Sequence, residues 1–116
     1  MFDGSLASTD GFDVNNTNRK NSINMDDEVE CKIYGRVQGV MFRDFACRGG
    51  RKLGLKGEVR NFEDGSVWVV AQGKKGALEK FISTLERGSL FSRVEKVETR
   101  WGRPIHSIEG FRIIYS

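Results

Sequence analysis

Histidine, cysteine and proline are the scarce residues of this sequence. Its 116 residues include one His, two Cys and one Pro. Cys31 and Cys47 lack the CxxC spacing of zinc sites, no His cluster accompanies them, and no carboxylates occur at metal-ligand spacing. We therefore expect neither a metal nor another cofactor. Two thiols in a basic chain indicate a reducing compartment with buried or half-buried cysteines, although a single disulfide stays open.

Long apolar runs are also missing. No stretch approaches the roughly 20 apolar residues that cross a bilayer, and the first residues lack the basic and apolar segments of a secretory signal. We therefore expect a cytoplasmic protein with no membrane partner. With 38% hydrophobic residues the chain can build one core, and its length leaves room for a single domain.

Composition divides the chain into two parts. Residues 1–27 hold two basic and five acidic residues, are rich in Asn, Asp, Ser and Thr, and have few apolar positions. This composition predicts a disordered N-terminal tail over residues 1–27. Residues 28–116, the predicted folded domain, hold 17 basic and 11 acidic residues. A basic body favours anionic partners, either small phosphates or nucleic acid, and an ordinary solvated surface is the open alternative.

Apolar periodicity predicts strands and helices in alternation. Residues 29–34 alternate as a strand does, and apolar residues at helical spacing from Phe42 to Leu53 predict a helix of about three turns that Gly54 ends. Gly49 and Gly50 should weaken this helix by about 1 kcal/mol each relative to Ala. A hairpin follows, with strands 57–62 and 66–72 around an Asp-Gly turn.

The second half of the domain repeats this pattern. Four apolar residues at helical spacing predict a second amphipathic helix, which ends at Gly88. These four residues are Leu78, Phe81, Ile82 and Leu85. Residues 94–101 and 111–115 are typical of strands. The order βαββαβ plus a short C-terminal strand predicts the α+β class, as a ferredoxin-like α/β sandwich with two helices on one face of a mostly antiparallel sheet.

The loop before the first helix, residues 35–43, has the most informative pattern of the chain. Gly35 and Gly39 bracket it, and no Ser, Thr, Asp or Asn caps the helix that follows. The first N–H groups of that helix therefore need another acceptor, and Arg43 in the first turn opposes the helix dipole. A phosphate bound by loop N–H groups and the Arg43 guanidinium would account for both features. Without this loop, Arg43 would be interpreted as an ordinary surface arginine.

A family resemblance is carried by three segments of the chain: GRVQGVMFR at 35–43, GEVRN at 57–61 and DGSV at 64–67. With AQG at 71–73 and FRI at 111–113, they resemble the acylphosphatase family over roughly residues 29–115. The resemblance implies a metal-independent hydrolase that cleaves the carboxyl-phosphate anhydride of acyl phosphates by direct in-line attack of water, releasing carboxylate and inorganic phosphate. It implies that Arg43 and Asn61 are catalytic, and that a phosphate-binding loop is formed by Gly35, Gln38, Gly39, Val40, Met41 and Phe42. We expect a monomer whose partner is a small-molecule acyl phosphate.

Asn61 is the residue expected to hold the attacking water. A neutral amide can accept a hydrogen bond from water while donating one to a phosphate oxygen. Phosphoryl transfer has a loose, in-line transition state, so positioning and charge stabilisation can replace a strong base. The alternative is an asparagine that only prepares the following turn. Glu58 stands where the family usually has Trp, and strand alternation predicts that it points away from Asn61.

Other functions fit the sequence less well. The Walker pattern of nucleotide-binding loops is missing, because Gly39 comes one residue early and is followed by Val40 and Met41. RNA-recognition domains share the βαββαβ order, but their third strand carries several stacking aromatics and here it has Trp68 alone, so we expect no nucleic acid. A non-catalytic domain with an anion pocket stays open. His106 lacks a Ser or Cys partner and is expected at the surface.

Overall fold

The predicted order of elements is confirmed by the structure. The computed structural model describes residues 26–115, and the disordered tail predicted for residues 1–27 falls almost wholly outside them. The described part folds into two helices and five strands: β1 (Asp27–Arg36), α1 (Phe42–Lys52), β2 (Lys56–Asn61), β3 (Val67–Gly73), α2 (Lys75–Arg87), β4 (Arg93–Gly102) and β5 (Phe111–Ile113).

The five strands form one sheet in the order β4-β1-β3-β2-β5. Three of its four pairings are antiparallel, and only β2 and β5 pair in parallel. Both helices cover the same face: α1 packs on β2 and β5, and α2 packs on β1, β3 and β4. This is the predicted sandwich. Since β1, β2 and β5 run in the same direction, their C-terminal ends lie together at one end of the sheet. This border across the strand ends, rather than an outer strand, is the edge at which β1, β2 and β5 end.

The strand boundaries differ from the predicted ones by one or two residues, and the largest shifts are at β1 and β5. β1 begins at Asp27 rather than at residue 29, because its first residues pair with both β3 and β4. β5 stops at Ile113 instead of continuing to residue 115, and the last hydrogen bond between the two segments runs from the Ile114 N–H to the Val59 carbonyl, 2.7 Å long. Tyr115, expected on the same strand face as Phe111, is therefore free of the sheet and 74% exposed.

Glycines end both helices, as predicted. After α1, Gly54 takes a φ of 74°, and the Leu55 N–H donates to the Gly50 carbonyl across the helix end. This is the pattern of a left-handed helix cap, which a residue without a side chain adopts at little cost. Gly88 ends α2 with a φ of 78° and an extended ψ of 177°, a conformation that is also adopted almost only by glycine.

The ring of Phe111 is the centre of packing between α1 and the sheet. It is 2% exposed and meets Phe81 of α2 edge to face, with 5.5 Å between ring centroids. A Cβ added at Gly50 of α1 would overlap this ring, and one at Gly57 of β2 would lie 2.7 Å from it. Gly50 lowers the helix propensity of α1, but its lack of a side chain allows the Phe111 ring to pack closely against the helix.

Gly50→Ala is expected to destabilise the protein by about 1–3 kcal/mol, because overpacking of Phe111 outweighs a propensity gain of about 1 kcal/mol. Urea unfolding followed by circular dichroism measures this change. The matched control is Gly76→Ala in α2, where an added Cβ meets nothing within 4 Å. This control should be neutral or slightly stabilising, and equal effects of the two substitutions would contradict the packing role of Gly50.

Candidate active site

The site predicted from the sequence gathers at the edge where β1, β2 and β5 end. Loop 35–43 leaves the end of β1 and enters α1, which lies beneath β2 and β5. Asn61 is the last residue of β2. Tyr115 follows β5 by two residues, and the parallel register that pairs Val59 with Ile113 brings it level with Asn61. The topology alone thus brings three segments distant in sequence to one edge.

Loop 35–43 turns through two left-handed residues. Gly39 has a φ of 75°, and Met41, at the N-cap of α1, has a φ of 62°. Met41 is the one non-glycine residue with positive φ among residues 26–115, and such a backbone costs about 1–3 kcal/mol. A left-handed residue within a turn can direct successive N–H groups toward a common point, which is an anion-binding geometry.

The N–H groups of this loop remain available to a ligand. As the sequence predicted, no side chain caps α1. From Gln38 to Met41, no backbone N–H makes a hydrogen bond of normal geometry to an acceptor within residues 26–115. The first intrahelical bond runs from Phe45 N–H to the Met41 carbonyl, 3.1 Å long. Several backbone N–H donors therefore lie at the positive end of the α1 dipole and have no acceptor among the described residues.

Gln38 fixes the loop to the β2–β3 hairpin. Its side-chain Nε2 donates to the carbonyl oxygens of Phe62, at 2.7 Å, and of Ser66, at 2.8 Å. Phe62 directly follows Asn61, so these two bonds set the position of the loop relative to Asn61. The sequence interpretation assigned only the backbone of Gln38 to the site and missed this role, for which an amide side chain inside a glycine-bracketed loop was the available signal.

The hairpin itself is locked by Asp64. Its Oδ1 accepts hydrogen bonds from the Ser66 hydroxyl, at 2.6 Å, and the Ser66 N–H, at 2.9 Å, while Oδ2 lies 3.0 Å from Lys32 Nζ. These hydrogen bonds and the Lys32 ammonium lower the pKa of Asp64 to about 2. The hairpin that carries Asn61 is therefore held by contacts that need an ionised carboxylate.

Arg43 is half-buried in the first turn of α1, and its guanidinium carbon lies 5.1 Å from the centroid of the Tyr115 ring. A stacked guanidinium keeps its N–H fork in one plane and loses less freedom when it binds a planar pair of oxygens. The sequence interpretation did not assign a role to Tyr115. Its position could be inferred only from the parallel register of β5 with β2.

Asn61 has an unfilled acceptor. Its Oδ1 is buried and has no hydrogen-bond partner among the described residues. A buried amide oxygen without a partner costs about 1–3 kcal/mol, so such a group is retained where a water or ligand completes it. Asn61 lies on the helix-covered face of β2 with Val59, at the point where this face meets solvent.

The remaining loop residues divide between structural and exposed roles. Gly35 lies in β1 with a φ of 127°, and a Cβ there would overlap the Arg93 carbonyl of β4, so strand packing requires this glycine. Phe42 is 1% exposed and Val40 packs against the core, which anchors the loop from below. Gly39 and Met41 are exposed. The backbone of residues 38–42 is thus free to surround a ligand.

The helix-free face of the sheet is closed by contacts within the protein. Trp68 stacks on Phe62 and under Arg60, and its Nε1 donates to Glu30. Three cations of this face are also paired with carboxylates: Lys32 with Asp64, Lys96 with Glu98 and Arg100 with Glu30. Glu58 belongs to this face and points away from Asn61, as alternation predicted.

The other candidates have structural environments. Cys31 and Cys47 are buried, unbridged thiols, and burial raises the pKa of both, that of Cys31 to about 12. Asp44 pairs with Arg48 at 3.1 Å, and His106 is exposed. Within residues 26–115, no group of three or more His, Cys, Asp or Glu residues is placed to hold a metal ion. Nor does this part of the chain contain a helix long and apolar enough to cross a membrane.

Comparisons with known proteins identify acylphosphatases among the relatives of this chain. A family model described as Acylphosphatase matches residues 29–113. The chain is 45% identical over 85 residues to an acylphosphatase of Salinibacter ruber, covering 73% of this chain and 90% of that protein. It is 46% identical over 81 residues to one of Thermus thermophilus, covering 70% and 91% respectively. The crystal structure of an acylphosphatase from Bacillus subtilis is similar with a TM-score of 0.75 at 35% identity, covering 77% of this chain and 99% of that one.

The lowered pKa of Asp64 predicts a pH-dependent contribution to stability. Because its folded pKa lies below its ordinary value of 3.8, ionised Asp64 stabilises the fold above pH 4 or so, and this contribution is lost as pH falls through about 2. The stability difference between wild type and Asp64→Asn should therefore be largest near pH 6 and fade toward pH 2. Urea unfolding of both proteins measures it, and a difference independent of pH would contradict the assignment.

Proposed function

The chain belongs to the acylphosphatase family and hydrolyses acyl phosphates, and from this premise we propose which of its residues perform the reaction. The N–H groups of residues 38–42 and the guanidinium of Arg43 bind the phosphoryl group. Asn61 holds the water that attacks phosphorus. The acyl carboxylate leaves directly, without a phosphoenzyme intermediate.

One observation carries this proposal: the buried, unpartnered Oδ1 of Asn61 lies at the same sheet edge as the uncapped start of α1. The first feature needs a hydrogen-bond donor, which water supplies. The second needs an anion, which the phosphoryl group supplies. Hydrolysis of an acyl phosphate needs both a water molecule and a phosphoryl group. Gln38 holds the two halves of the site together.

The chemistry of each step follows from these positions. In the transition state, negative charge is spread over the three equatorial phosphoryl oxygens. Fixed N–H donors around these oxygens stabilise this charge without having to reorganise. The Asn61 oxygen accepts a hydrogen bond from the water and orients one of its lone pairs toward phosphorus. A carboxylate is a good leaving group, so neither a strong base nor a metal ion is needed in this mechanism.

The setting of the reaction is part of the same proposal. A basic domain over residues 28–116 with a small oxyanion site suits a small-molecule acyl phosphate as the partner. The two free, buried thiols are compatible with a reducing, cytoplasmic location. We propose that the protein acts there as a monomer.

Arg43→Ala is expected to lower kcat/KM for benzoyl phosphate by about 10²–10³-fold, the usual effect of removing one preorganised charge stabiliser. Inorganic phosphate release is timed in buffer containing EDTA, in which the wild type should stay fully active. The matched control is Arg112→Ala, which removes an exposed arginine of β5. If folded Arg43→Ala keeps its turnover, Arg43 does not bind the phosphoryl group.

Asn61→Ala is expected to lower kcat by about 10²-fold, because a poorly positioned water rarely reaches the in-line geometry. Inhibition by inorganic phosphate should stay close to that of the wild type, since the loop and Arg43 remain. Steady-state kinetics with phosphate as competitor separates the two effects, and Glu58→Ala on the opposite face of β2 is the control. Loss of phosphate binding with unchanged kcat would argue against a water-holding role.

A further inference from the structure

A groove adjoins the phosphate loop on the side away from Asn61. It lies between residues 39–41 of the loop and residues 88–91, the turn that connects α2 to β4, and its volume is about 690 Å³. Its walls are mostly apolar, formed by Met41, Phe45, Leu90 and Phe91. Nothing in the proposed chemistry on phosphorus uses this groove.

Its apolar side chains are unusually exposed. Met41 and Phe91 are each 73% exposed and Leu90 is 86% exposed. Six large hydrophobic residues are exposed among residues 26–115, and half of them meet in this one place. Single exposed apolar residues are ordinary, but a cluster beside a concave surface is typical of a ligand site.

The order of the strands fixes where the groove lies relative to the water. Asn61 ends β2, and the turn at residues 88–91 precedes β4, on the other side of β1 and β3. Loop 35–43 leaves β1 and so lies between the two. In an in-line displacement the leaving group departs opposite the attacking water. A water held by Asn61 would therefore direct the acyl group toward the turn that precedes β4, whose residues 88–91 line the groove.

We propose that this groove receives the acyl part of the substrate and selects acyl phosphates with an apolar acyl group, aromatic or branched, over acetyl phosphate. The proposal rests on the function assigned above, because it needs the phosphoryl group in the loop and the water at Asn61. Leu90 and Phe91 are its specificity-determining residues. Arg36 and Arg48 line the same groove, so a cationic acyl group is disfavoured there.

The test compares two substrates in two proteins. kcat/KM is measured for benzoyl phosphate and acetyl phosphate with the wild type and with the double variant Leu90→Ser/Phe91→Ser. The benzoyl-to-acetyl ratio should fall about tenfold in the variant, the usual effect of losing apolar contact with one substrate. Taking the ratio between proteins cancels the different intrinsic reactivities of the two substrates. The matched control is Ile105→Ser, at an 89% exposed residue remote from the groove, which should leave the ratio unchanged.

The outcomes separate this inference from the proposed function. An unchanged ratio in an active double variant overturns the groove and leaves the site residues standing, whereas a wild type inactive on both substrates overturns the function itself. A second measurement needs no variant: benzoate should inhibit the wild type at about tenfold lower concentration than acetate. Equal inhibition constants for the two carboxylates would contradict the groove.

Discussion

The uncapped start of α1 is the constraint on which the rest of the site depends. A helix that begins without a side-chain cap leaves several N–H donors, and here Met41 adds the cost of a left-handed backbone. Such a conformation persists only when the surroundings hold it. Burial of Phe42 below the loop and the two Gln38 bonds to the hairpin do so. The loop is thus held by contacts within the protein, and stabilisation of charge by fixed donors requires such preorganisation.

The two faces and the edge of the sheet have separate tasks. The helix face contains the core, where Phe111 packs between Gly50 and Gly57. The opposite face is closed by stacked aromatics and ion pairs, and the connection from β4 to β5 is fastened to it where Gln72 bonds the His106 carbonyl and the Ile108 N–H. The edge at the ends of β1, β2 and β5 brings unfilled N–H donors close to an unfilled acceptor. At this edge strand order, rather than local sequence, decides which residues are neighbours.

Local signals in the sequence were sufficient for the fold and for the main site candidates. Periodicity, the Asp-Gly turn and the terminal glycines Gly54 and Gly88 depend on neighbouring residues, so a single chain reveals them. The role of Gln38 does not, because its partners lie 24 and 28 residues away. The packing need of Gly50, the stacking of Tyr115 on Arg43 and the groove at Leu90 are of the same kind. Each depends on segments that are distant in sequence and become neighbours only in the folded protein.

Binding of a phosphate by the backbone of residues 38–42 together with Arg43 can be observed by titrating the ¹⁵N-labelled protein with inorganic phosphate and following the amide and arginine Nε resonances. We expect saturable shifts confined to residues 38–43 and the neighbouring Asn61 side chain, and their loss in Arg43→Ala. Saturable shifts centred elsewhere on the protein, or identical titrations of the two proteins, would contradict this binding.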